Sequence, residues 1–509
     1  MDSFATDLYL PPTHTRMTDS RAYSVEEPVA IHHISLKTIL SNSEFMTQHK
    51  RQQASSPVLR LPPELLSEIF LLLLATTEDK ALRPSFPMHV QLALSKVCGF
   101  WRAVALHTPM LWTSVALHLG KHVSNFNGIK ELALTCFQRS EPLPLSLTIT
   151  SETTSMPNIV SDLVSSARHR ITRLQLQMPI AFTESIFKLP MSSFKLLRSI
   201  EVSAMLTSGD KGPWFRAMSS LEGATQLKTV VFRCYNPDNT RLERRLFKPM
   251  KSGLRLEQLL HLTLVGSLQV LANDAVNLIG QATNLVQLAI HITRVPEGAP
   301  EPDSVVSSTL RYLDATVSQY SLPVFLNALK LPSLEELSVR CRGVQNIPCS
   351  VFVGLHEKSA FSLRRFLISD RMGDSIFPFL RCSPFLERVQ LIQCGSALNT
   401  VCKIFTRKAG NGVPILPHLK ELAIVDRWPD ERPEVAWDTA SQALMAMVRF
   451  RRQTGHQMLN YLVFGARKAL NEDQVAQLKT WRLEGMEYRL TDLRPGYDRI
   501  EEDYFGTAS

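Results

Sequence analysis

The chain has 509 residues, of which 44% are hydrophobic and 20% charged, and its formal net charge is +9. Such a balance excludes a chain too polar to build a core. The basic surplus is scattered, with its densest groups at Arg241, Arg244 and Arg245 and at Arg449, Arg451 and Arg452, so no nucleic-acid partner is expected. The eight cysteines include no CxxC pair. Neither a disulfide framework nor a zinc site follows from that spacing, and reduced thiols in the cytoplasm and/or nucleus are expected. The opening Met-Asp-Ser-Phe has no basic stretch leading into an apolar run, so no signal peptide is expected. The longest apolar stretch, Ile69–Ala75, is far too short to span a bilayer, and no membrane partner is expected.

Taken in chain order, residues 1–57 mix Pro, Ser, Thr and His without sustained periodicity and read as poorly ordered, with one short helix near 36–49. Residues 58–112 read as a compact helical unit. Pro62 and Pro63 precede Glu64, and Leu65, Leu66, Ile69, Phe70 and Leu73 then fall at helical spacing. Proline is tolerated in a first turn because the N–H groups there lack partners anyway. A loop carrying Pro84 and Pro87 follows. Val90, Leu94, Val97, Trp101 and Val104 step by four and three, which predicts a second helix that Thr108-Pro109 stops, with Leu111 and Trp112 next. Two short helices cannot bury this much Leu, Phe and Trp between themselves, so the surplus must face the rest of the chain or another protein.

Residues 113–170 read as a junction, with a helix over Gly128–Arg139 and an alternating strand at Leu145, Leu147 and Ile149. From 171 to 470 one pattern recurs, apolar-x-x-apolar-x-apolar. Its copies begin at Ile171, Leu197, Leu227, Leu259, Leu285, Leu310, Leu334, Leu363, Leu386, Leu419 and Leu459. Segments between copies read as helices: Leu322, Phe325, Leu326 and Leu329 fit one, Ile376, Phe379 and Leu380 another, and Leu398, Val401, Ile404 and Phe405 a third. The expected fold class is therefore α/β: a short all-α unit followed by an irregular leucine-rich-repeat-like solenoid, with parallel strands on a concave face and helices outside. Residues 471–509 read as a C-terminal cap and tail, with a helix near Asn471–Leu483 and a strand at Tyr488–Leu490.

Segment 61–112 resembles the F-box. The matching residues are Leu61, Pro62, Pro63, Glu64, Leu65 and Leu66, then Ile69 and Phe70, then Val97, Cys98, Trp101 and Arg102, and finally Pro109, Leu111 and Trp112. The stretch Ala75–Val90 is longer than the link usual between the first two helices of that family. The overall order is similar to a large fungal group of F-box proteins in which a leucine-rich-repeat-like region follows the F-box. The resemblance implies a non-catalytic substrate receptor of a Skp–cullin–F-box ubiquitin ligase. Its docking surface for the Skp-type adaptor, and through it a cullin, would use Leu61, Pro62, Pro63, Glu64, Leu65, Ile69, Phe70, Val97, Cys98, Trp101, Leu111 and Trp112. The alternative is a leucine-rich-repeat scaffold that joins no ligase, with 58–112 serving only as an N-terminal cap.

Residues between and just after the apolar positions of each copy point to the open face of the sheet. An unidentified target protein would meet them there, and the candidates are His291, Tyr312, Glu336, Arg340, Arg365 and Arg388. Glu201, Arg233, His261, Gln287, Asp314, Gln390 and Glu421 share that face. Arg340, Arg365 and Arg388 stand on successive copies and read first as an ordinary solvated face, although a phosphorylated target would call for such a strip. Cys394 follows Leu391 by three residues, as a buried structural thiol would. No GxGxxG, Walker A, HExxH or GxSxG sequence is present, and His32-His33 stands without a further clustered ligand. No catalytic residue, metal site or cofactor is expected.

Overall fold

An apolar residue at every second position writes a strand, because successive side chains of an extended backbone point to opposite faces. The structure, a computed structural model, describes residues 60–492 apart from 79–87, 121–124, 152–157, 191–192, 206–217, 236–244, 247–252, 294–303, 343–347, 370–375, 393–397, 407–413, 426–433, 454–458 and 467–469. The chain divides into two compact units, Met1–Pro62 and Pro63–Ser509. Of the first unit only Arg60–Pro62 are described. The expectations for residues 1–57, for the loop with Pro84 and Pro87, and for Cys394 lie outside the described residues.

The second unit opens with three helices, α1 (Pro63–Glu78), α2 (Met88–Val97) and α3 (Gly99–Leu106), followed by a 3-10 turn at Pro109–Trp112. The periodicity from Val90 to Val104 predicts a single helix, and the chain divides it. Cys98 adopts an extended backbone (φ −157°, ψ 172°), and its Sγ accepts the Trp101 N–H at 3.4 Å as the cap of α3.

The rest is an α/β, solenoid-like ladder. Among the described residues fourteen strands follow one another in a single run. They are β1 (Ser114–Leu119), β2 (Leu145–Ser151), β3 (Ile171–Pro179), β4 (Ser199–Met205), β5 (Thr229–Tyr235), β6 (His261–Gly266) and β7 (Gln287–Thr293). They continue as β8 (Tyr312–Ser318), β9 (Glu336–Arg342), β10 (Arg365–Ser369), β11 (Arg388–Ile392), β12 (Glu421–Val425), β13 (Tyr461–Ala466) and β14 (Glu487–Asp492). Neighbours pair in parallel throughout, as in the register Tyr312, Glu336, Arg365, Arg388, Glu421, Tyr461 and Glu487 from β8 to β14. The recurring pattern supplies β3 to β13, one strand per copy. In the copies that form β4 to β13 the first apolar residue precedes the strand and the next two point inward, whereas Ile171 already opens β3. Leu334, Leu337 and Val339 do so around β9, and all three are buried.

The register is locked just before the strands from β5 to β13, where one carbonyl accepts two N–H groups from the next rung. The Arg311 carbonyl takes Glu335 and Glu336 N–H at 2.9 and 3.0 Å, and the Glu335 carbonyl takes Arg364 and Arg365 N–H at 2.8 and 3.1 Å. Arg364 and Glu387 repeat the arrangement toward the following rungs. Helices between strands cover the inward face. Phe352 of the helix Ser350–Ser359, Phe366 of β10 and Phe379 of the helix Phe377–Cys382 meet with ring centroids 4.9 to 5.8 Å apart, which ties adjacent rungs through one aromatic cluster.

Two departures from the sequence reading bear on the ends of the ladder. The 40-residue interval between Leu419 and Leu459 holds the helix Glu434–Gln453, whose Leu444, Met447, Val448 and Arg451 form a buried stripe. The expected cap near 471 is one more rung. Its helix, Glu472–Leu483, starts with a capping box between Asn471 and Gln474, and its strand, β14, extends the parallel sheet.

Two buried arginines tie helix ends to neighbouring rungs. Arg170 donates to the Leu143 carbonyl from Nε and Nη2 (2.9 and 2.7 Å), to the Phe137 carbonyl (2.9 Å) and to Ser140 Oγ (2.8 Å). It thereby satisfies carbonyls left over at the end of the helix Phe126–Arg139. Arg451 does the same for the carbonyls of Phe405 (3.1 Å), Leu416 (2.8 Å) and Ile415. Burial pulls its pKa down to about 10, which leaves it charged at neutral pH. Among the described residues no helix is long and apolar enough to cross a membrane. Replacing Arg170 with Ala is expected to cost about 2–3 kcal/mol, because two carbonyls lose buried donors together. Urea unfolding measures it, and an unchanged midpoint would show that the carbonyls find other donors.

Candidate docking surfaces

Helix α1 is apolar on two sides, and the two sides have different fates. Leu66, Phe70 and Leu74, spaced by four, are buried. The Phe70 ring meets the Trp101 ring with centroids 5.1 Å apart. Beneath them Trp112 Nε1 donates to the Ala105 carbonyl at 2.9 Å, and the Arg139 guanidinium lies 4.5 Å from the Trp112 ring centroid. Gln91 of α2 is buried and donates to the carbonyls of Leu111 (3.2 Å) and Ser114 (3.4 Å), which fastens the helices to the start of β1. The other side of α1 carries Leu65, Ile69, Leu72 and Leu73, which are 54%, 40%, 65% and 45% exposed. A stripe of this kind at i, i+4, i+7 and i+8 is what a helix presents to a partner.

The residues expected to dock therefore divide. Pro63, Glu64, Leu65, Ile69 and Val97 are exposed, and Cys98 and Trp101 are half-buried. Phe70, Leu111 and Trp112 are buried in the unit's own core, where they hold the helices together and offer no surface. Leu61 and Pro62 belong to the first unit. Sequence reasoning missed Leu72 and Met110, both exposed. Leu72 continues Leu65 and Ile69 at helical spacing and was legible on that ground. Met110 sits in the turn Pro109–Trp112, where no period marks it.

On the open face of the sheet, the basic strip is neutralised from rung to rung. Arg340 Nη1 bonds both carboxylate oxygens of Asp314 at 2.8 Å. Arg365 faces Glu336 at 3.5 Å, Arg388 faces Glu421 at 3.1 Å, and Arg233 is paired with Glu201. Each carboxylate lies one rung away from its arginine, so the register creates the pairs. Tyr312 is half-buried, with the Arg311 guanidinium 5.8 Å from its ring centroid.

His291 is buried, and its Nδ1 donates to the Gly266 carbonyl at 2.7 Å. It pins the turn after β6 and leaves little of its ring at the surface. Gly266 holds φ +84°, and a Cβ there would stand 2.0 Å from the Cys234 carbonyl oxygen, so only glycine fits. Farther along, the open face changes character. Ile392, Ala423, Val425 and Val463 form a second small buried cluster with Tyr461 against it, and Gln390 beside them is 1% exposed. Alternation fails there because β11 and β12 carry apolar residues on both faces.

A second charge row runs along the turns ahead of the strands. Arg311 pairs with Glu335 at 2.5 Å and Lys420 with Glu387 at 2.8 Å. The Lys420 hydrogen bond holds the Glu387 carboxyl below the usual carboxylate range, helped by the charges of Lys420, Arg364 and Arg388. The buried thiols of Cys136 and Cys402 are pushed up to about 11 and about 12, so neither is a thiolate at neutral pH. Among the described residues no group of three His, Cys, Asp or Glu is placed to hold a metal ion. Because the Glu387 pKa is depressed on folding, its stabilisation is present above the unfolded carboxylate value of about 4.3 and is lost as pH falls through the folded value. Glu387→Gln is therefore expected to lower the unfolding midpoint at pH 7 and to leave it nearly unchanged at pH 3. An equal effect at both would remove the ionic explanation.

Compared with known proteins, the chain matches no family model, and no curated protein sequence matches it.

Proposed function

We propose that this chain is a non-catalytic target receptor of a Skp–cullin–F-box ubiquitin ligase, with residues 61–112 acting as the F-box and the ladder as a leucine-rich-repeat-like target reader working in the cytoplasm or nucleus. The observation that supports it best is the exposed apolar side of α1. Leu65, Ile69, Leu72 and Leu73 remain open while Leu66, Phe70 and Leu74 on the same helix are buried. An apolar stripe left open on an otherwise packed helix is suited to a partner's groove. A start at Pro63 lowers the ordering cost of the segment that binds.

Target reading falls to the open face of β8 to β10 and to the leading ends of β11 and β12, where Arg388 and Glu421 stand. With Arg340, Arg365 and Arg388 each beside a carboxylate, that face favours an uncharged or mixed-charge protein surface over a phosphorylated one. Such a target needs no prior phosphorylation to be held.

A second reading, an N-terminal cap on a scaffold that joins no ligase, has an observation of its own. Phe70, Leu111 and Trp112 are buried, and Gln91 fastens α2 to the start of β1. A cap accounts for the inward side of α1 and leaves the outward side without a task.

The two readings separate in a capture experiment with a purified Skp-type adaptor. The triple change Leu65→Asp, Ile69→Asp and Leu72→Asp is expected to weaken capture at least about a hundredfold, since each buried leucine-sized side chain contributes about 1.5–3 kcal/mol. The unfolding midpoint should stay put, because all three side chains already face water. Capture that survives the triple change, or an unaltered chain that fails to bind at micromolar concentration, would falsify the receptor reading.

A further inference from the structure

Charge is balanced over one part of the ladder and not over another. On the open face from β8 to β12, Arg340, Arg365 and Arg388 each face a carboxylate one rung away, and in the turns Arg311 and Lys420 are matched by Glu335 and Glu387. Strands β1 to β5 hold a single carboxylate, Glu201, and Arg233 takes it. Three further cations stand at the leading end of β3 to β5. Arg173 lies on the open face of β3, in register with Ser146 of β2 and Ser199 of β4. Arg198 and Lys228 occupy the turns ahead of β4 and β5, where the Lys228 N–H donates to the Arg198 carbonyl at 2.9 Å. All three residues are exposed. The Arg198 guanidinium donates to the neutral side chain of Gln226 at 3.4 Å. Among the described residues none of the three has a carboxylate within ion-pair distance.

Like charges on neighbouring rungs, about 4.8 Å apart, repel one another and give the fold nothing. An anion placed over them turns that repulsion into attraction. The surroundings say which kind of anion fits. Ser146 and Ser199 flank Arg173, and Thr229 follows in the same register, so hydroxyl donors accompany the cations. β3 and β4 carry no Phe, Tyr or Trp on which a nucleic-acid base could stack. The cations spread over two rungs, about 10 Å, which suits single charges set along a chain better than one doubly charged group. Carboxylates two or three residues apart on an extended backbone span about 6.6–10 Å.

We propose that the leading end of β3 to β5 binds an extended, unphosphorylated, carboxylate-rich segment of the target. Arg173, Arg198 and Lys228 face its Asp or Glu side chains, and Ser146 and Ser199 donate to the same carboxylates. The proposal rests on the reading of the ladder as a target reader and adds the class of segment that is read.

Fluorescence anisotropy of the full chain tests it with three labelled probes: a peptide of repeated Glu-Ser, the same peptide with Gln for every Glu, and the Gln peptide with one phosphoserine. The glutamate peptide is expected to bind at least about tenfold more tightly than the Gln peptide, more tightly than the phosphorylated one, and less tightly as salt rises. The variant Arg173→Gln, Arg198→Gln and Lys228→Gln is expected to lose at least about tenfold in that affinity. Its urea midpoint should hold, because the three side chains already face water. Removal of a balanced pair, Arg388→Gln with Glu421→Gln, is expected to leave the affinity unchanged. Equal binding of the glutamate and Gln peptides by the unaltered chain overturns the proposal without recourse to any variant. So does full affinity in the triple variant, a preference for the phosphorylated peptide or for a short oligothymidylate, or no binding of the glutamate peptide at about 100 µM chain. The adaptor is absent from the assay, so its outcome is separate from that of capture through α1.

Discussion

The structure depends on the paired N–H groups that the turn carbonyls from Arg198 to Lys420 accept from the next rung. They fix the register before the strand begins, and a strand has a side-chain period of two. A slip of one residue would turn Leu337 and Val339 outward and bring Glu336, Ser338 and Arg340 into the core. The buried leucines select the same register that the backbone fixes, so local hydrogen bonding and burial agree. The charge rows follow from that agreement. Asp314 meets Arg340, Glu336 meets Arg365 and Arg388 meets Glu421 because the strands are held level, and these partly exposed pairs add little stability of their own.

The helical unit joins this ladder and shares its core. Leu66, Phe70, Leu94, Trp112, Val115 and Leu117 belong to one continuous apolar cluster. Gln91 bonds carbonyls on both sides of the boundary between the turn and β1. Under the proposed function this has a mechanical meaning. A partner gripping the outward stripe of α1 would hold a helix whose inward side is packed in the same core as the first strands.

The ladder was legible because its signal is short-ranged and repeated. Leu334, Leu337 and Val339 announce a strand from six residues, and no distant contact has to be known. The ends and surfaces were less legible, for separate reasons. The break at Cys98 leaves the apolar spacing from Val97 to Trp101 undisturbed, so periodicity does not register a cap made by one thiol. The inward fate of Phe70 and the outward fate of Ile69 depend on where the rest of the chain comes to lie. The pairing of Arg365 with Glu336 needs the register between two strands 29 residues apart, which composition does not carry. The burial of His291 hangs on a turn carbonyl 25 residues earlier.

The bidentate grip of Asp314 on Arg340 has a consequence for how such a surface diversifies. The guanidinium is already oriented and partly desolvated, so loss of the single carboxylate would expose a ready-made anion receptor without moving the backbone. The open face at β8 and β9 thus stands one acidic residue away from presenting an uncompensated guanidinium to an anion.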